Sequence, residues 1–254
     1  MRVGCWFWIC SILLVAGTAR GADLQEAGPL SLIMTYHAIP ANRLALRHQL
    51  ESADLRRFQQ WKDQGILSRF SILSNRHVDS GTWDAAVLLT FADSSAAQRW
   101  RQVERDAPAG LSPKTLELTT SIETAPADLV RKHDIDPPRK DPVFMVLPYE
   151  VFVSTDSYLA YLDGYVIPQL EGWIAEGVLA GYGIYLPRYS PGRPWASLLV
   201  LEYENDRALG MREAIVAKVR ARLKENPDWK ALSDDKKKVR EEKQAIIADP
   251  VAQP

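Results

Sequence analysis

Cysteine is scarce in this sequence. Of its 254 residues only two are cysteines, Cys5 and Cys10, and both fall within the first ten positions. The rest of the chain therefore has no disulfide, thiolate nucleophile or cysteine-ligated metal available to it. With 46% hydrophobic residues, a chain of this length has to be held together by its core.

Histidine is also rare, and neither sign of charge dominates. The four histidines show no metal-binding spacing, and none stands out as an axial haem ligand. We therefore expect no metal site and no resident cofactor, with haem as the open alternative. The formal net charge of −1 gives no basic field that would point to nucleic acid. Glycine-rich phosphate loops and Gly-x-Ser-x-Gly elbows are missing from the sequence too.

Long hydrophobic runs are confined to the beginning of the chain. Arg2, the apolar run 3–16 and the small residues near Gly21 follow the order of a secretory signal peptide. The run is shorter than the roughly 20 residues that a membrane-spanning helix needs. We predict a signal peptide over 1–21, a periplasmic or secreted protein, and no stable membrane insertion after cleavage. An uncleaved anchor is the alternative.

The sequence does contain an internal repeat with a constant offset of 112 residues. Seven residues within 61–91 are identical to their counterparts within 173–203. The pairs are Trp61 and Trp173, Gly65 and Gly177, Leu67 and Leu179, Ile72 and Ile184, Arg76 and Arg188, Trp83 and Trp195, and Leu89 and Leu201. A shared apolar pattern does not explain matched tryptophan, glycine and arginine at one spacing, so we predict two copies of one unit.

Each copy shows the element order βαββαβ. In the second copy, apolar residues recur at helical spacing after Ser154, and Gly177 stands where a left-handed helix end is usual. Second helices are expected after Asp93 and after Asn205. The predicted strands are 30–39, 66–73, 83–91 and 115–124 in the first copy and 143–153, 178–186 and 195–203 in the second.

This element order, with the repeat, resembles the dimeric α/β-barrel superfamily, which includes antibiotic-biosynthesis-monooxygenase-like domains. The resemblance implies an α+β fold in which two tandem ferredoxin-like units pack sheet to sheet as an intra-chain barrel. It also implies a monomer that acts as a pseudo-dimer, or a weak homodimer. Because it rests on no catalytic signature, it informs fold more than activity.

The predicted organisation has four parts. They are the signal peptide 1–21, a first repeat 22–124, a proline-rich linker 125–142 and a second repeat 143–254 with an extended C-terminal helical segment. After Met211 comes a long charged helical stretch, broken near Asn226-Pro227. Residues 238–247 only weakly resemble a closing strand, which leaves the fourth strand of the second copy in doubt. Its basic cluster at 236–240 is flanked by acids and is typical of a solvated helix face. Asp249–Pro254 is predicted to be a frayed terminus.

Differences between the copies provide the first set of candidate site residues. At the offset of 112, Tyr149 is replaced by His37, Leu159 by Arg47 and Val166 by Asp54. Charged groups on a core-facing stripe are costly unless they are paired or hydrated. One interpretation is a catalytic pocket in which His37 is a general base, oriented by Asp54 or Arg47. The other is a misaligned stretch that leaves all three in solvent.

Aromatic residues provide the second set. Tyr149, Trp173, Tyr182 and Tyr185 are the predicted ligand-binding residues, around a cavity between sheet and helix. Core packing is the alternative, and it is favoured for Trp61 and Trp173 because both copies have them. Arg76 and Arg188 end the second strand of each copy, where each is expected to pair with an acid or to clamp a carboxylate ligand.

Three functions follow as hypotheses. The first is an exported barrel that binds a small apolar or aromatic ligand and is not an enzyme. The second is a cofactor-free monooxygenase- or isomerase-like enzyme that uses His37 as its base. The third is a structural or interaction module that uses the helical stretch 207–247 as a docking arm.

Overall fold

The computed structural model describes residues 30–79, 81–134 and 139–252. The predicted signal peptide, 1–21, lies outside these residues. Nine β-strands occur within the described ranges, and all of their pairings are antiparallel. The strands are β1 (Leu30–His37), β2 (Arg69–Asn75), β3 (Ala85–Thr90), β4 (Ser121–His133), β5 (Val143–Val151), β6 (Leu179–Pro187), β7 (Ser197–Tyr203), β8 (Arg240–Glu242) and β9 (Ile246–Ala252).

Helices cover the outer face of the sheet. They are α1 (Arg43–Gln49), α2 (Leu55–Asp63), α3 (Ser94–Asp106), α4 (Pro113–Glu117), α5 (Thr155–Tyr161), α6 (Ile167–Ala175), α7 (Asp206–Gly210), α8 (Arg212–Leu223) and α9 (Pro227–Val239). A π-helical segment, Leu50–Asp54, joins α1 to α2, and another, Leu162–Val166, joins α5 to α6. Short 3-10 turns lie at Pro40–Asn42 and Pro108–Gly110.

The sheet closes into an eight-stranded barrel. Around it the strands follow the order β7-β6-β4-β1-β3-β2-β9-β5, and β5 returns to β7. The short β8 pairs with β5 further along the strand than β9 does. Closure pairs the strand edges that an open sheet would leave free. The prediction of an α+β barrel with an antiparallel sheet is confirmed.

The two halves of the chain contribute four barrel strands each, in the same spatial order. That order is β4-β1-β3-β2 in the first half and β9-β5-β7-β6 in the second. The halves meet at two joins, where β4 pairs with β6 and β2 pairs with β9. The fourth strand of each half therefore pairs with the second strand of the other half.

The helix ends follow the signals in the sequence. Asp93 accepts a hydrogen bond from a backbone N–H in the first turn of α3, and Asn205 and Ser154 do the same for α7 and α5. Gly65 and Gly177 follow α2 and α6 with φ of 67° and 72°, a left-handed conformation that glycine adopts without strain. These predicted starts and stops are confirmed.

Successive side chains of each strand point to opposite faces of the sheet, so that hydrophobic residues form one core inside the barrel and two cores outside it. Residues such as Ile33, Phe144 and Tyr185 point into the barrel and form the interior core. The first outer core lies between the sheet and the helices of the first half, and the second outer core lies there in the second half. Trp61 packs against the first and Trp173 belongs to the second, so their interpretation as core residues is confirmed.

The fourth strand of the first half lies later in the chain than predicted. Residues 115–124 were predicted to form it, but Pro113–Glu117 is a helix, because Ser112 caps its first turn and Pro113 suits the first helical position. The strand is Ser121–His133, so the predicted linker 125–142 is wrong over its first nine residues. β4 extends this far because it pairs first with β1 and then with β6.

The C-terminal segment is part of the barrel. Its closing strand, left in doubt by the sequence, is β9, which includes Asp249 from the predicted frayed terminus. Helices α8 and α9 bury Val219 and Trp229 against the second outer core, and the Trp229 indole N–H donates to the carbonyl of Tyr165 at 3.1 Å. The prediction of a helical stretch over 207–247 is therefore wrong beyond Val239, where the chain returns to the sheet, and the role of this stretch as a docking arm stays a prediction.

Candidate functional site

The main candidate site is a cavity of about 570 Å³ in the barrel, which we call the interior cavity. Six strands supply its apolar wall, with Ile33, Leu88 and Val146 among the lining residues. Trp83 and Trp195 also line it, and only 8% and 7% of their surfaces are exposed. Each tryptophan lies two residues before a strand, β3 or β7, at the same end of the barrel.

The rim of the interior cavity is polar. His37, at the end of β1, is half-buried there, and Glu123 lies on the neighbouring strand β4. Arg193 donates to the carbonyl of Thr124, and Lys243 donates to the carbonyl of Pro194 at 3.1 Å. The arrangement joins an apolar, aromatic body to a rim with cations, a carboxylate and an imidazole.

A second cavity, of about 360 Å³, lies at the other end of the barrel. Leu88 and Val200 line both cavities, so the two lie back to back. Asp134 pairs there with Arg69 and Lys132. Burial raises the pKa of Asp134, but hydrogen bonds from the two cations outweigh this and lower the pKa overall.

The structure separates the three predicted catalytic residues. His37 lines the interior cavity. Asp54 is fully buried on the outer face, where it accepts hydrogen bonds from the backbone N–H of Ser112, at 2.8 Å, and from the Thr115 hydroxyl. Arg47 is 43% exposed and pairs with Glu51 at 2.7 Å. Asp54 therefore fixes the start of α4, and neither charged residue contacts His37 within the described ranges.

The strand register explains why sequence comparison misplaced His37. The first helical stretch of each half, α1 to α2 and α5 to α6 with the π-segments between them, begins and ends at the constant offset of 112. In the strands, however, Tyr36 faces Ala85 while Tyr149 faces Ser197, so Tyr149 corresponds to Tyr36. The first half has one more residue between strand and helix. A shift of one residue reverses the face of a strand, so His37 points inward and Tyr149 outward.

The predicted ligand-binding aromatics do not surround one cavity. Tyr149, Trp173 and Tyr182 belong to the second outer core, whereas Tyr185 belongs to the interior core. The void that Tyr149 and Trp173 share is only about 40 Å³, room for little more than one water, and Tyr149 also borders a larger cleft on the outer face. Tyr182 and Tyr185 both line the second cavity. Tyr182 donates to Glu171 at 2.9 Å; burial, then this carboxylate, raises its pKa.

Sequence reasoning missed most of the rim. Glu123 lay at the end of a strand that was predicted too early in the chain, and Lys243 lay in a stretch that only weakly resembled a strand. Arg193 follows a predicted turn, where an arginine is ordinarily exposed. Trp83 and Trp195 were recognisable, since both copies carry them ahead of an apolar strand.

One of the described histidines, His133, has the ring-nitrogen partner that an axial haem ligand normally needs. An axial histidine is normally held by a hydrogen bond from its second ring nitrogen. The His37 ring has no such partner among the described residues. His133 is held by Glu171, with 3.3 Å between Nδ1 and the carboxylate, but it stands beside the charged Lys132 and Asp134. Nowhere in the described ranges do three or more His, Cys, Asp or Glu side chains cluster to hold a metal ion.

The described residues include no candidate for a membrane-spanning helix. Of the helices within 30–79, 81–134 and 139–252, none combines the length and the apolar character needed to cross a bilayer.

Comparison with known proteins identifies the fold. No family model and no curated protein matches the sequence. An anthrone oxidase-like protein is 14% identical, with 91% of this chain and 94% of that chain covered and a TM-score of 0.54. Proposed monooxygenases from Fusobacterium nucleatum and Lactobacillus acidophilus are each 10% identical, with TM-scores of 0.54 and 0.51. The first match covers 89% of this chain and 94% of that one, and the second 88% and 93%. The chain shares the dimeric α/β-barrel fold with these proteins.

Proposed function

We propose that the protein binds a small, largely apolar or aromatic molecule in the interior cavity. The supporting observation is a space of about 570 Å³ walled by apolar side chains and two tryptophans. This lies within the usual range of roughly 300–1,000 Å³ for ligand pockets, which are mostly apolar with a few polar groups. Trp83 and Trp195 would contact the flat body of the ligand, and Arg193 or Lys243 would bind a polar group at the rim.

Tryptophan replacement tests this proposal. Aromatic acids, quinones and flavin would be screened by thermal shift, and the best binder measured by calorimetry. Trp83→Leu and Trp195→Leu should each weaken binding about tenfold, because each removes stacking area worth about 1–1.5 kcal/mol. Trp61→Leu is the matched control, since Trp61 packs in the first outer core. A flat screen, or an equal loss in all three variants, would refute the proposal.

A second candidate is a cofactor-free monooxygenase- or isomerase-like enzyme. It is favoured by one observation: His37 lines the interior cavity, and its ring has no hydrogen-bond partner within the described part of the chain. A histidine so placed is suited to take a proton from a bound ligand. His37→Gln should then abolish turnover while ligand affinity and folding stay unchanged. If turnover were unchanged in His37→Gln, the enzyme hypothesis would be wrong and ligand binding would remain as the proposed function.

We further infer that the two halves descend from one duplicated unit. The matched residues at 61–91 and 173–203, the shared strand order and the π-segments 112 residues apart support this. We also propose export by the predicted signal peptide and a protein that works as a single-chain barrel. N-terminal sequencing of the protein from its host and light scattering would test these two points.

A further inference from the structure

We infer that the outer face of the second half carries an anion-binding cleft, separate from the interior cavity. The cleft has a volume of about 520 Å³ and lies where α8, α9 and β8 meet the π-segment Leu162–Val166. We call it the tyrosine cleft. Its ligand is a small dianion, such as a phosphate monoester or a dicarboxylate, with an apolar or aromatic body.

The floor of the tyrosine cleft is aromatic. Tyr149, Tyr161 and Tyr165 line it, and each is at most 6% exposed. The rings of Tyr161 and Tyr165 lie 5.0 Å apart between centroids. At the corresponding positions, 112 residues earlier, the first half has Gln49 and Ala53. The first half therefore lacks this floor.

Four cations surround this floor: Arg220, Lys236, Lys237 and Arg240. The guanidinium carbon of Arg240 lies 3.8 Å from the centroid of the Tyr149 ring, and Arg240 donates to the Tyr158 hydroxyl at 3.2 Å. Arg220 donates to the Gln169 side-chain oxygen at 2.7 Å. Both arginines are half-buried, whereas the two lysines are exposed at the mouth.

Among the described residues, none of these four cations forms a salt bridge, although Lys236 lies close enough to Asp234 to help lower the pKa of that carboxyl. Elsewhere on α9, Lys230 pairs with Asp234 at 2.6 Å and Lys238 with Asp235 at 2.5 Å. The sequence predicted that the basic cluster at 236–240 is a solvated helix face. In the structure Lys238 is paired, whereas Lys236, Lys237 and Arg240 line the cleft. An unpaired, half-buried guanidinium is costly unless an anion neutralises it.

The charge balance indicates a divalent ligand. Two carboxylates, Glu241 and Glu242, also line the cleft, so four positive and two negative groups leave a surplus of two positive charges. Glu242 accepts a hydrogen bond from the Tyr149 hydroxyl at 2.9 Å. Arginine binds carboxylate and phosphate through paired N–H donors, while lysine acts as a point charge. The two arginines would therefore bind the anionic group, and the tyrosines would contact the body.

Calorimetry with phenyl phosphate as the probe tests the inference, with benzyl alcohol as the neutral comparison. The intact protein should bind phenyl phosphate with an affinity that falls as salt rises, and benzyl alcohol at least tenfold more weakly. Absence of phenyl phosphate binding at millimolar concentration, or equal binding of the two probes, overturns the inference.

Charge-removing variants locate the site. Arg220→Gln and the double variant Lys236→Gln with Lys237→Gln should each weaken phenyl phosphate binding about tenfold. The double variant Lys230→Gln with Lys238→Gln removes the same charge from the same helix and should change affinity less than twofold. Equal losses of phenyl phosphate affinity in the two double variants would mean that the anion is attracted by the net charge of the helix rather than bound in the cleft, and would overturn the site. Trp83→Leu distinguishes the two sites, because a tenfold loss of phenyl phosphate binding in this variant would place the probe in the interior cavity and would overturn the tyrosine cleft as its site.

Discussion

Arg76, at the end of β2, binds both carboxylate oxygens of Asp249 in β9. Nη2 donates to Oδ1 at 2.5 Å, and Nε lies 3.2 and 3.3 Å from the two oxygens. Arg188 pairs with Asp128 of β4 at 2.8 Å and so spans the other join. The predicted pairing of each arginine with an acid is confirmed, but Asp249 and Asp128 lie in the strand across each join rather than in a loop. Arg76 also pairs with Asp206, the first residue of α7, at 2.5 Å.

The Arg76–Asp249 pair should contribute measurably to stability. Arg76→Gln is expected to lower the free energy of unfolding by about 1–3 kcal/mol, because the pair is bidentate and both residues are half-buried. A double-mutant cycle with Asp249→Asn, read by urea denaturation, measures the coupling. Lys230→Gln, which breaks an exposed pair on α9, is the control and should cost no more than about 0.5 kcal/mol. Additive effects at 76 and 249 would contradict the prediction.

Asp54 should be needed for stability rather than for ligand binding. Asp54→Ala leaves the Ser112 N–H and the Thr115 hydroxyl without their acceptor in a buried site, at an expected cost of about 2–4 kcal/mol. Asp63→Ala, an exposed acid on the same helical stretch, should cost less than about 0.5 kcal/mol. Thermal unfolding measures both. Should Asp54→Ala fold with full stability, the structural role assigned to Asp54 would be wrong.

Gly110 should not tolerate a side chain. Its φ is 74°, and a Cβ there would lie 2.7 Å from Phe58 Cζ and 3.1 Å from Trp100 Cη2. Gly110→Ala is expected to destabilise the protein by about 2–4 kcal/mol, from backbone strain and overpacking. Gly210→Ala is the control, because nothing lies within 4 Å of its Cβ position and alanine favours a helix. Similar unfolding midpoints for the two variants would refute this account.

Removal of β9 should prevent the barrel from forming. A chain that ends at residue 243 lacks the strand that pairs with both β2 and β5 and loses the buried Ile246 and Ala248. We expect it to bind a dye for exposed apolar surface and to lose its near-ultraviolet circular dichroism. Ala248→Arg, which puts a cation in the interior core, tests closure in the full-length chain. A truncated chain that unfolds cooperatively with native stability would disprove the requirement.

Asp134 should make the free energy of unfolding depend on pH, with the folded protein less stable at acid pH. Its pKa in the folded state is lowered, so its contribution to stability is present above about pH 4, the unfolded value, and is lost as pH falls through the folded pKa. Because Asp134 is 42% exposed, the contribution is at most about 1 kcal/mol. The difference in unfolding free energy between the wild type and Asp134→Asn should shrink between pH 5 and pH 3. A difference independent of pH would rule this out.

Local signals predicted much of the fold. The caps at Asp93 and Asn205 and the left-handed glycines after α2 and α6 depend on residues close in sequence. The constant offset of 112 depends on identical residues at matching positions of the two copies. The strand β4 was misplaced because the Ser112-Pro113 cap starts a helix in a stretch whose apolar residues, Leu116, Leu118 and Ile122, are spaced as in a strand. β9 was left in doubt because its partners, β2 and β5, are supplied by the tertiary fold, and its own composition only weakly resembles a strand.

The candidate site was harder to predict than the fold. One additional residue before α1 turns His37 into the barrel, and an offset chosen from matched tryptophans cannot detect this. The tyrosine cleft joins Tyr161 to Lys236 and Arg240 across some 75 positions of sequence. Its charges resembled a solvated helix because pairing partners are determined only when α9 packs.

Because a single polypeptide closes the barrel, amino-acid substitutions can alter its two outer faces independently. In a barrel built from two identical chains, symmetry places every substitution at two positions, so both outer faces alter together. Here a substitution alters one face and leaves the other as it was. The first half accordingly has a tight aromatic layer in which Phe58, Trp61 and Trp100 pack together, while the second half opens into a basic cleft. A barrel closed within one chain is therefore not bound by the constraint that its two outer faces match.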